Sequence, residues 1–268
     1  MGVHVWDVKN PSKHIGFVPA LDGAYIRAMK LLPHSHQVVV GGETKDIVVL
    51  DLEVGVVATL ATTAQALFAM ALSKAAQPTL FACLNNGVVE TWDLRANERT
   101  AMYSGHGDGV SCIDVSPDGN KIITGSLDKT VKVWDIRTQA ELANFNFPSQ
   151  VFSLAVCPQT SWLATGEQSG KVSALNLMSL EVKEGGEENA HSSSVLSLRY
   201  THNGQVLIST GQDAQIKGYS APCSARVLFN KRQDNSILCS SISANDQFIV
   251  TGNGNHRAVV YALTSQQQ

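Results

Sequence analysis

The stretch that decides the fold is GHGDGVSCIDVSPDGNKIITGSLDKTVKVWDIR, residues 105–137. It begins with a Gly-His pair, contains a Pro-Asp-Gly turn at 117–119 and ends in Trp134-Asp135. Between these points apolar and polar residues alternate in short runs, as they do in half-buried β-strands. The stretch therefore predicts short strands joined by tight, glycine-containing turns.

The Trp-Asp pair that ends this stretch is one member of a series of seven dipeptides, each of which follows a short alternating apolar run. The members are Trp6-Asp7, Leu50-Asp51, Trp92-Asp93, Trp134-Asp135, Leu175-Asn176, Tyr219-Ser220 and Tyr261-Ala262, with spacings of 44, 42, 42, 41, 44 and 42 residues. A period of about 40–45 residues with these signals is typical of WD repeats, which form four strands per blade around a central channel. The sequence therefore predicts an all-β, seven-bladed WD-repeat β-propeller.

The first blade is expected to be incomplete. Trp6 would end the third strand of its blade, so about 35 residues that the period requires would be missing before it. We therefore interpret 1–268 as a single propeller domain, with 1–20 as the remnant of blade one and 21–268 as six further repeats. In an alternative arrangement, residues 1–8 form an outer strand beside 257–263; otherwise two sheet edges stay open.

Composition excludes several classes of protein. The chain has 268 residues, 44% of them hydrophobic, with 20 Lys and Arg against 23 Asp and Glu. The hydrophobic content argues against a disordered chain. The near balance of charges argues against a basic surface for nucleic-acid binding. Residues 54–73 carry no charge, but their threonines and alanines make them weakly apolar for a membrane span. The five cysteines are odd in number and form no C-x-x-C motif, so a zinc site or disulfide framework is not expected.

No enzyme is expected either, and no cofactor or metal. His106, Thr124 and Asp128 could suggest a catalytic triad, but in WD repeats this set joins Trp134 in a buried hydrogen-bond network that connects the strands of a blade. The remaining histidines are scattered, and we interpret His34 and His36 as solvated. Nucleotide-binding, zinc-protease and serine-hydrolase motifs are missing from the sequence.

The repeat also locates equivalent positions that could form a binding site. In each blade, one residue lies six positions before the turn that follows the first strand, and these residues together are expected to form a ring. Its members are Arg27, Phe68, Ser111, Phe152, Leu196 and Leu238. An apolar collar with one cation suits a pocket for an aromatic-rich peptide. The alternative is that these residues only fill the channel.

Several segments resemble the C-terminal propeller of the Groucho/TLE (transducin-like enhancer of split) corepressors. They are GAYIRAMKLLP, VVVGGE, GHGDGVSCIDVSPDG, SLDKTVKVWDIR, SQVFSLAVCP, SVLSLRY and SILCSSISANDQFIVTGNG. The resemblance covers essentially the whole chain. It implies a nuclear protein of transcription, including Wnt signalling, that does not bind DNA itself. DNA-bound repressors would recruit it through a WRPW-type tetrapeptide or an Engrailed-homology motif, both docking at the channel mouth.

The resemblance also assigns roles to residues. The family's pocket positions fall on Tyr25, Arg27, Glu43, Phe152, Leu196 and Leu238, four of which the repeat offset selects independently. The resemblance implies that the aromatic and leucine side chains pack against peptide Trp, Phe or Ile. It implies that Arg27 stacks on an indole or meets a terminal carboxylate, and that Glu43 holds Arg27 or meets a peptide cation. Phe68 stands where the family usually has Tyr, so a hydroxyl hydrogen bond is lost there.

The chain departs from the family at its beginning. First-blade pocket residues and the N-terminal Gln-rich region through which family members oligomerise are not in this sequence. A WD scaffold of another kind, such as a ubiquitin-ligase substrate receptor or a G-protein-β-like adaptor, is the alternative function. The segments quoted above favour the corepressor, since generic WD repeats do not share them.

Overall fold

The computed structural model describes residues 2–10, 12–33, 35–73, 79–179, 181–187, 190–221 and 226–263, and in these ranges the regular elements are β-strands. The strands form seven sheets, in each of which consecutive strands are antiparallel neighbours. Five sheets have four strands, one has three and one has two. We call them blades 1 to 7 in chain order.

The strands of the partial first blade and the three-stranded last blade lie at the two ends of the described chain. Blade 1 is β1 (Gly2–Trp6) and β2 (His14–Pro19), and blade 7 is β23 (Ile237–Ile242), β24 (Phe248–Asn253) and β25 (Ala258–Ala262). The four-stranded blades are blade 2, with β3 (Ile26–Leu31), β4 (Gln37–Gly42), β5 (Asp46–Asp51) and β6 (Gly55–Ala61); blade 3, with β7 (Leu67–Leu72), β8 (Thr79–Leu84), β9 (Val88–Asp93) and β10 (Glu98–Ser104); blade 4, with β11 (Val110–Val115), β12 (Lys121–Ser126), β13 (Thr130–Asp135) and β14 (Glu141–Asn146); blade 5, with β15 (Val151–Val156), β16 (Trp162–Glu167), β17 (Val172–Asn176) and β18 (Glu181–Glu187); and blade 6, with β19 (Val195–Tyr200), β20 (Val206–Gly211), β21 (Gln215–Ser220) and β22 (Val227–Arg232).

The burial of each strand follows from its place in the blade. The second strands are almost completely buried, as in β4 with Val38, Val39 and Val40. Both faces of these strands pack against neighbouring blades, so a continuous β-branched run suits them. Outer strands such as β6 and β14 alternate between exposed and less exposed residues, because one face meets solvent.

The first strands of successive blades lie side by side, in the order β3, β7, β11, β15, β19 and β23. They therefore surround the channel as the innermost strands, which confirms a propeller of six blades with a partial blade beside them. The dipeptide series is also explained, because its members end the third strands of blades 2 to 7, while Trp6 ends β1 of the partial blade. The uncharged stretch 54–73 is divided between β6 and β7 and so forms two short strands rather than one long apolar element.

Blade 1 consists of a hairpin that packs on blade 2. β1 pairs with β2, and Val3, Val18 and Leu21 lie in one apolar cluster with Val38 and Val40 of β4. In the described part of the chain β25 pairs only with β24. The alternative in which residues 1–8 form an outer strand beside 257–263 is therefore wrong: β1 pairs with β2 instead, and this hairpin packs its apolar side chains on blade 2.

The cysteines are free thiols in the described ranges, which do not include Cys223. Cys83, Cys112 and Cys157 are buried, whereas Cys239 on β23 is exposed. Within the same ranges no three His, Cys, Asp or Glu side chains are grouped to hold a metal ion. No described helix is long and apolar enough to cross a membrane.

Candidate binding surface at one mouth of the channel

The six positions selected by the repeat offset occupy one equivalent place in the blades. Each is the second residue of an innermost strand, and each is the extra residue of a β-bulge against the second strand. In blade 2, for example, Ile26 pairs with Gly42 and Ala28 with Gly41, leaving Arg27 between them. A bulge bends a strand and redirects one side chain. The propeller therefore presents the six predicted residues as a ring at the start of its inner strands.

Hydrogen bonds between blades hold part of this ring in place. The Ser111 hydroxyl bonds the carbonyl groups of Val151 in the next blade and of Gly125 in its own. Farther along the inner strands, Ser153 Oγ donates to the Val195 carbonyl at 3.0 Å, and the hydroxyls of Ser197 and Ser240 lie 2.9 Å apart. Blades 4 to 7 are thus joined pairwise next to the channel, which favours a preformed surface over an adaptable one.

Tyr25, Arg27 and Glu43 come together where β3 begins and β4 ends. The Glu43 amide donates to the Tyr25 carbonyl at 2.9 Å. Arg27 donates to Glu43 Oε1 from Nε at 3.0 Å and also from a terminal guanidinium nitrogen. A Cβ at Gly42 would lie 1.8 Å from the Tyr25 carbonyl oxygen, so only glycine permits this approach. Glu43 was expected either to hold Arg27 or to meet a peptide cation, and in the structure it forms an ion pair with Arg27.

The apolar members of the ring differ in exposure. Tyr25 and Leu238 are 59% and 53% exposed, whereas Phe68, Phe152 and Leu196 are half-buried. The Phe68 ring lies against Gly109 of the next blade, where a Cβ would come within 2.7 Å of it. Tyr25 and Leu238 therefore present apolar surface to solvent at the start of the inner strands.

His106, Thr124, Asp128 and Trp134 lie in one chain of hydrogen bonds inside blade 4. His106 Nδ1 is 2.9 Å from Asp128 Oδ2, and Nε2 is 2.8 Å from Thr124 Oγ1, which also accepts the Trp134 indole N–H at 2.9 Å. The ionised Asp128 carboxylate can only accept, so the proton of a neutral His106 ring is assigned to Nδ1, directed at Asp128.

The electrostatics of this network agree with that assignment. Burial lowers the pKa of His106, and this outweighs the opposing effect of Asp128. Burial alone would raise the pKa of Asp128, but hydrogen bonds from Thr130, the Gly107 amide and His106 lower it below its usual value. The His106 side chain is 1% exposed, so it meets the blade interior rather than a substrate.

A second histidine network, which sequence reasoning missed, lies in blade 6. His191 Nδ1 is 2.8 Å from Asp213 Oδ1, and Nε2 is 2.7 Å from Ser209 Oγ. The spacings of 18 and 22 residues equal those from His106 to Thr124 and Asp128, and this was the available signal. His36 is exposed, and His34 lies outside the described residues.

Blade 3 has a carboxylate where blades 4 and 6 have histidines. Glu90 is fully buried and accepts four hydrogen bonds, from the Thr63 amide (3.0 Å), the Thr63 hydroxyl (2.6 Å), the Trp92 indole (3.2 Å) and Arg99 (3.1 Å). In blade 4 the charges at the same places are reversed, since Lys132 pairs with Glu141 at 2.6 Å. The sequence carries no evident signal for this buried ion pair.

Comparison with known proteins agrees with the geometry. The family model "WD domain, G-beta repeat" matches residues 97–135 and 184–220. The chain is 37% identical, over 97% of its length, to "Protein groucho" of Drosophila melanogaster. It spans 36% of that protein, so the comparison concerns about a third of the relative.

Proposed function

Because this chain belongs to the Groucho/TLE family of WD-repeat proteins, we propose that it is a transcriptional corepressor propeller that binds short repression motifs at the channel mouth. The motifs are those of DNA-bound repressors, of the WRPW type and the Engrailed-homology type. The protein acts in the nucleus and contacts DNA only through these partners. The observation that carries this proposal is the Arg27–Glu43 pair beside the exposed Tyr25 at the mouth.

The chemistry of the ring suits an aromatic-rich peptide. Phe152, Leu196 and Leu238 offer apolar surface from three consecutive blades, and a few buried aromatic anchors carry most of the affinity in such complexes. Arg27 belongs to the same ring and is held by Glu43, and in this proposal it stacks on an indole or binds a terminal carboxylate. Peptide side chains and the peptide terminus thus meet complementary groups.

Catalysis is not part of this proposal. The one triad-like set recognised from the sequence is internal, with His106 almost completely buried and its ring nitrogens engaged by Asp128, Thr124 and Thr130. A nucleophile activated by that histidine would have no room for a substrate. The set instead stabilises the strands of blade 4.

A competition experiment tests whether both motif types use one surface. The purified chain is titrated with a fluorescent WRPW-type peptide, and unlabelled Engrailed-homology peptide is then added; a peptide with the aromatic residues replaced by Ala is the control. We expect complete displacement by the unlabelled peptide and none by the control. Simultaneous binding of both peptides would contradict a shared site, and no binding by a folded chain would contradict the proposal.

A further inference from the structure

Blade 7 contains a third version of the hydrogen-bond network of blades 4 and 6, in which side-chain amides replace the histidine and the aspartate. In blade 4 the partners lie 18, 22 and 28 residues after the histidine, and the same offsets from Gln233 lead to Thr251, Asn255 and Tyr261. Gln233 Nε2 donates to Thr251 Oγ1 at 2.9 Å and to the Tyr261 hydroxyl at 2.7 Å. The network of blade 7 therefore consists of neutral groups.

Three amide oxygens of this region are buried without a hydrogen-bond donor from the described chain. They belong to Gln233, Asn253 and Asn255. In blade 4 the Asp128 carboxylate accepts the Gly107 and Thr130 amides at 2.8 and 2.9 Å. Asn255 occupies the equivalent position and receives no such donor within the described ranges. Because a buried acceptor without a partner is costly, three of them together indicate that their donors come from a bound molecule.

The three amides line one cavity of about 240 Å³. Its other lining residues are Arg232, Asp234, Arg257, Val259 and Tyr261. Both arginines are exposed, and among the described residues neither lies within ion-pair distance of a carboxylate. Lys231 Nζ lies 5.1 Å from the centre of the Tyr261 ring. The cavity thus combines hydrogen-bond acceptors in its wall with three cations and one carboxylate around it.

The cavity lies on the same face of the propeller as the ring. Asn253 ends β24 and pairs with Ile237, which directly precedes Leu238 of the ring in β23. The equivalent residue of blade 2 is Gly42, which directly precedes Glu43. Neighbouring strands are about 4.8 Å apart, so the third strand of blade 7 lies about 10 Å from the first. About three to four residues of extended chain span that distance.

We propose that this cavity binds an acidic, extended peptide segment that adjoins a repression motif seated in the ring, a role that rests on the proposed function. Backbone N–H groups of the segment donate to the unpartnered amide oxygens, and an Asp or Glu side chain accepts from Arg232 and Arg257. An acidic segment fits better than a basic one because the nearby cations outnumber the carboxylate of Asp234. The whole chain has a formal net charge of −3, so attraction of an acidic peptide must come from this local surface.

Fluorescent WRPW-type peptides with different N-terminal extensions test this site. One peptide carries an extension of about six residues that includes two Glu, a matched peptide has Gln at both places, and the third probe is the tetrapeptide alone. We expect the Glu peptide to bind the wild type at least about fivefold more tightly than the Gln peptide. The difference should decrease at high ionic strength, since the charges involved are exposed.

Two variants remove the preference through different changes at the cavity. Arg257→Gln deletes a cation, and Asn255→Asp places a negative charge in the wall without changing its shape. In each variant the Glu and Gln peptides should bind equally, while affinity for the tetrapeptide stays at the wild-type value. Arg137→Gln is the matched control, because this exposed residue follows the end of a third strand on the opposite face, and it should keep the full difference.

The outcomes separate this site from the ring, with circular dichroism used to identify any variant that fails to fold. Equal affinity of the wild type for the Glu and Gln peptides, with the tetrapeptide still bound, would overturn the acidic-segment site and leave the proposed function in place. A preference for Glu that persists in folded Arg257→Gln and Asn255→Asp would overturn its assignment to this cavity. Absence of binding of all three peptides to the folded wild type would contradict the proposed function and this site together.

Discussion

Arg27 donates two hydrogen bonds to a single carboxylate oxygen of Glu43, across the hairpin of β3 and β4. Their side chains are 54% and 39% exposed, so the pair has little effect on folding but fixes the direction of the guanidinium. Preorganisation of this kind lowers the cost of ordering a side chain on binding.

Glu43→Gln should therefore separate folding from binding. We expect the free energy of unfolding to change by less than about 1 kcal/mol, because exposed ion pairs contribute little. Affinity for the WRPW-type peptide should fall severalfold, since Arg27 loses its charged partner. Urea denaturation and peptide titration measure the two quantities, and a large loss of stability with unchanged affinity would contradict this assignment.

Gly42→Ala should disturb the same corner through the backbone. A Cβ would overlap the Tyr25 carbonyl, so the start of β3 must move, and we expect a loss of about 1–3 kcal/mol in stability together with weaker peptide binding. Gly16→Ala in β2 is the matched control, because nothing lies within 4 Å of a Cβ there. Equal melting temperatures and affinities for the two variants would refute the close approach at Gly42.

His106 should make stability depend on pH. Its pKa is lowered in the folded state, so as the pH falls through the unfolded value near 6.5 the unfolded chain takes up the proton first and stability decreases. Acidification from about pH 7.5 to about pH 5.5 should lower the melting temperature of the wild type more than that of His106→Gln. An equal or steeper decrease in the variant would show that the histidine is not held neutral.

The buried carboxylate of blade 3 offers a test of the internal networks. Glu90→Gln replaces one acceptor oxygen by a donor in front of four donors, so we expect a loss of about 2–4 kcal/mol. Glu98→Gln changes the same atoms at an exposed position of the same blade and should be nearly neutral. Denaturant unfolding of both variants measures the difference, and similar values would mean that the Glu90 network contributes little.

What the sequence could predict depended on repetition. The period located the third strands and, by counting from the turns, placed Arg27 and Ser111 at equivalent bulges of different blades. Counting from the turns succeeds because equivalent blades have the same β-bulge at the same position of their first strands. The His191 network has the right spacing but lacks a Trp-Asp ending, so recognition by the dipeptide alone passed over it.

Features that depend on contacts between different parts of the chain were not predictable in the same way. The four donors to Glu90 come from a loop and two strands, and only the folded blade brings them to one carboxylate. The sequence allowed β1 to pair either with β2 or beside residues 257–263, and the alternation of apolar residues does not decide between these two partners.

The affinity of the wild type and two ring variants for a fluorescent WRPW-type peptide tests the central claim most directly. Arg27→Ala and Leu196→Ser should each lose about 1–3 kcal/mol of binding free energy, or about 5- to 150-fold in Kd. Arg137→Ala and Leu142→Ser make the same changes outside the ring, at exposed positions, and should bind like the wild type. Absence of binding by a wild-type chain whose circular dichroism shows an intact β fold would contradict the account.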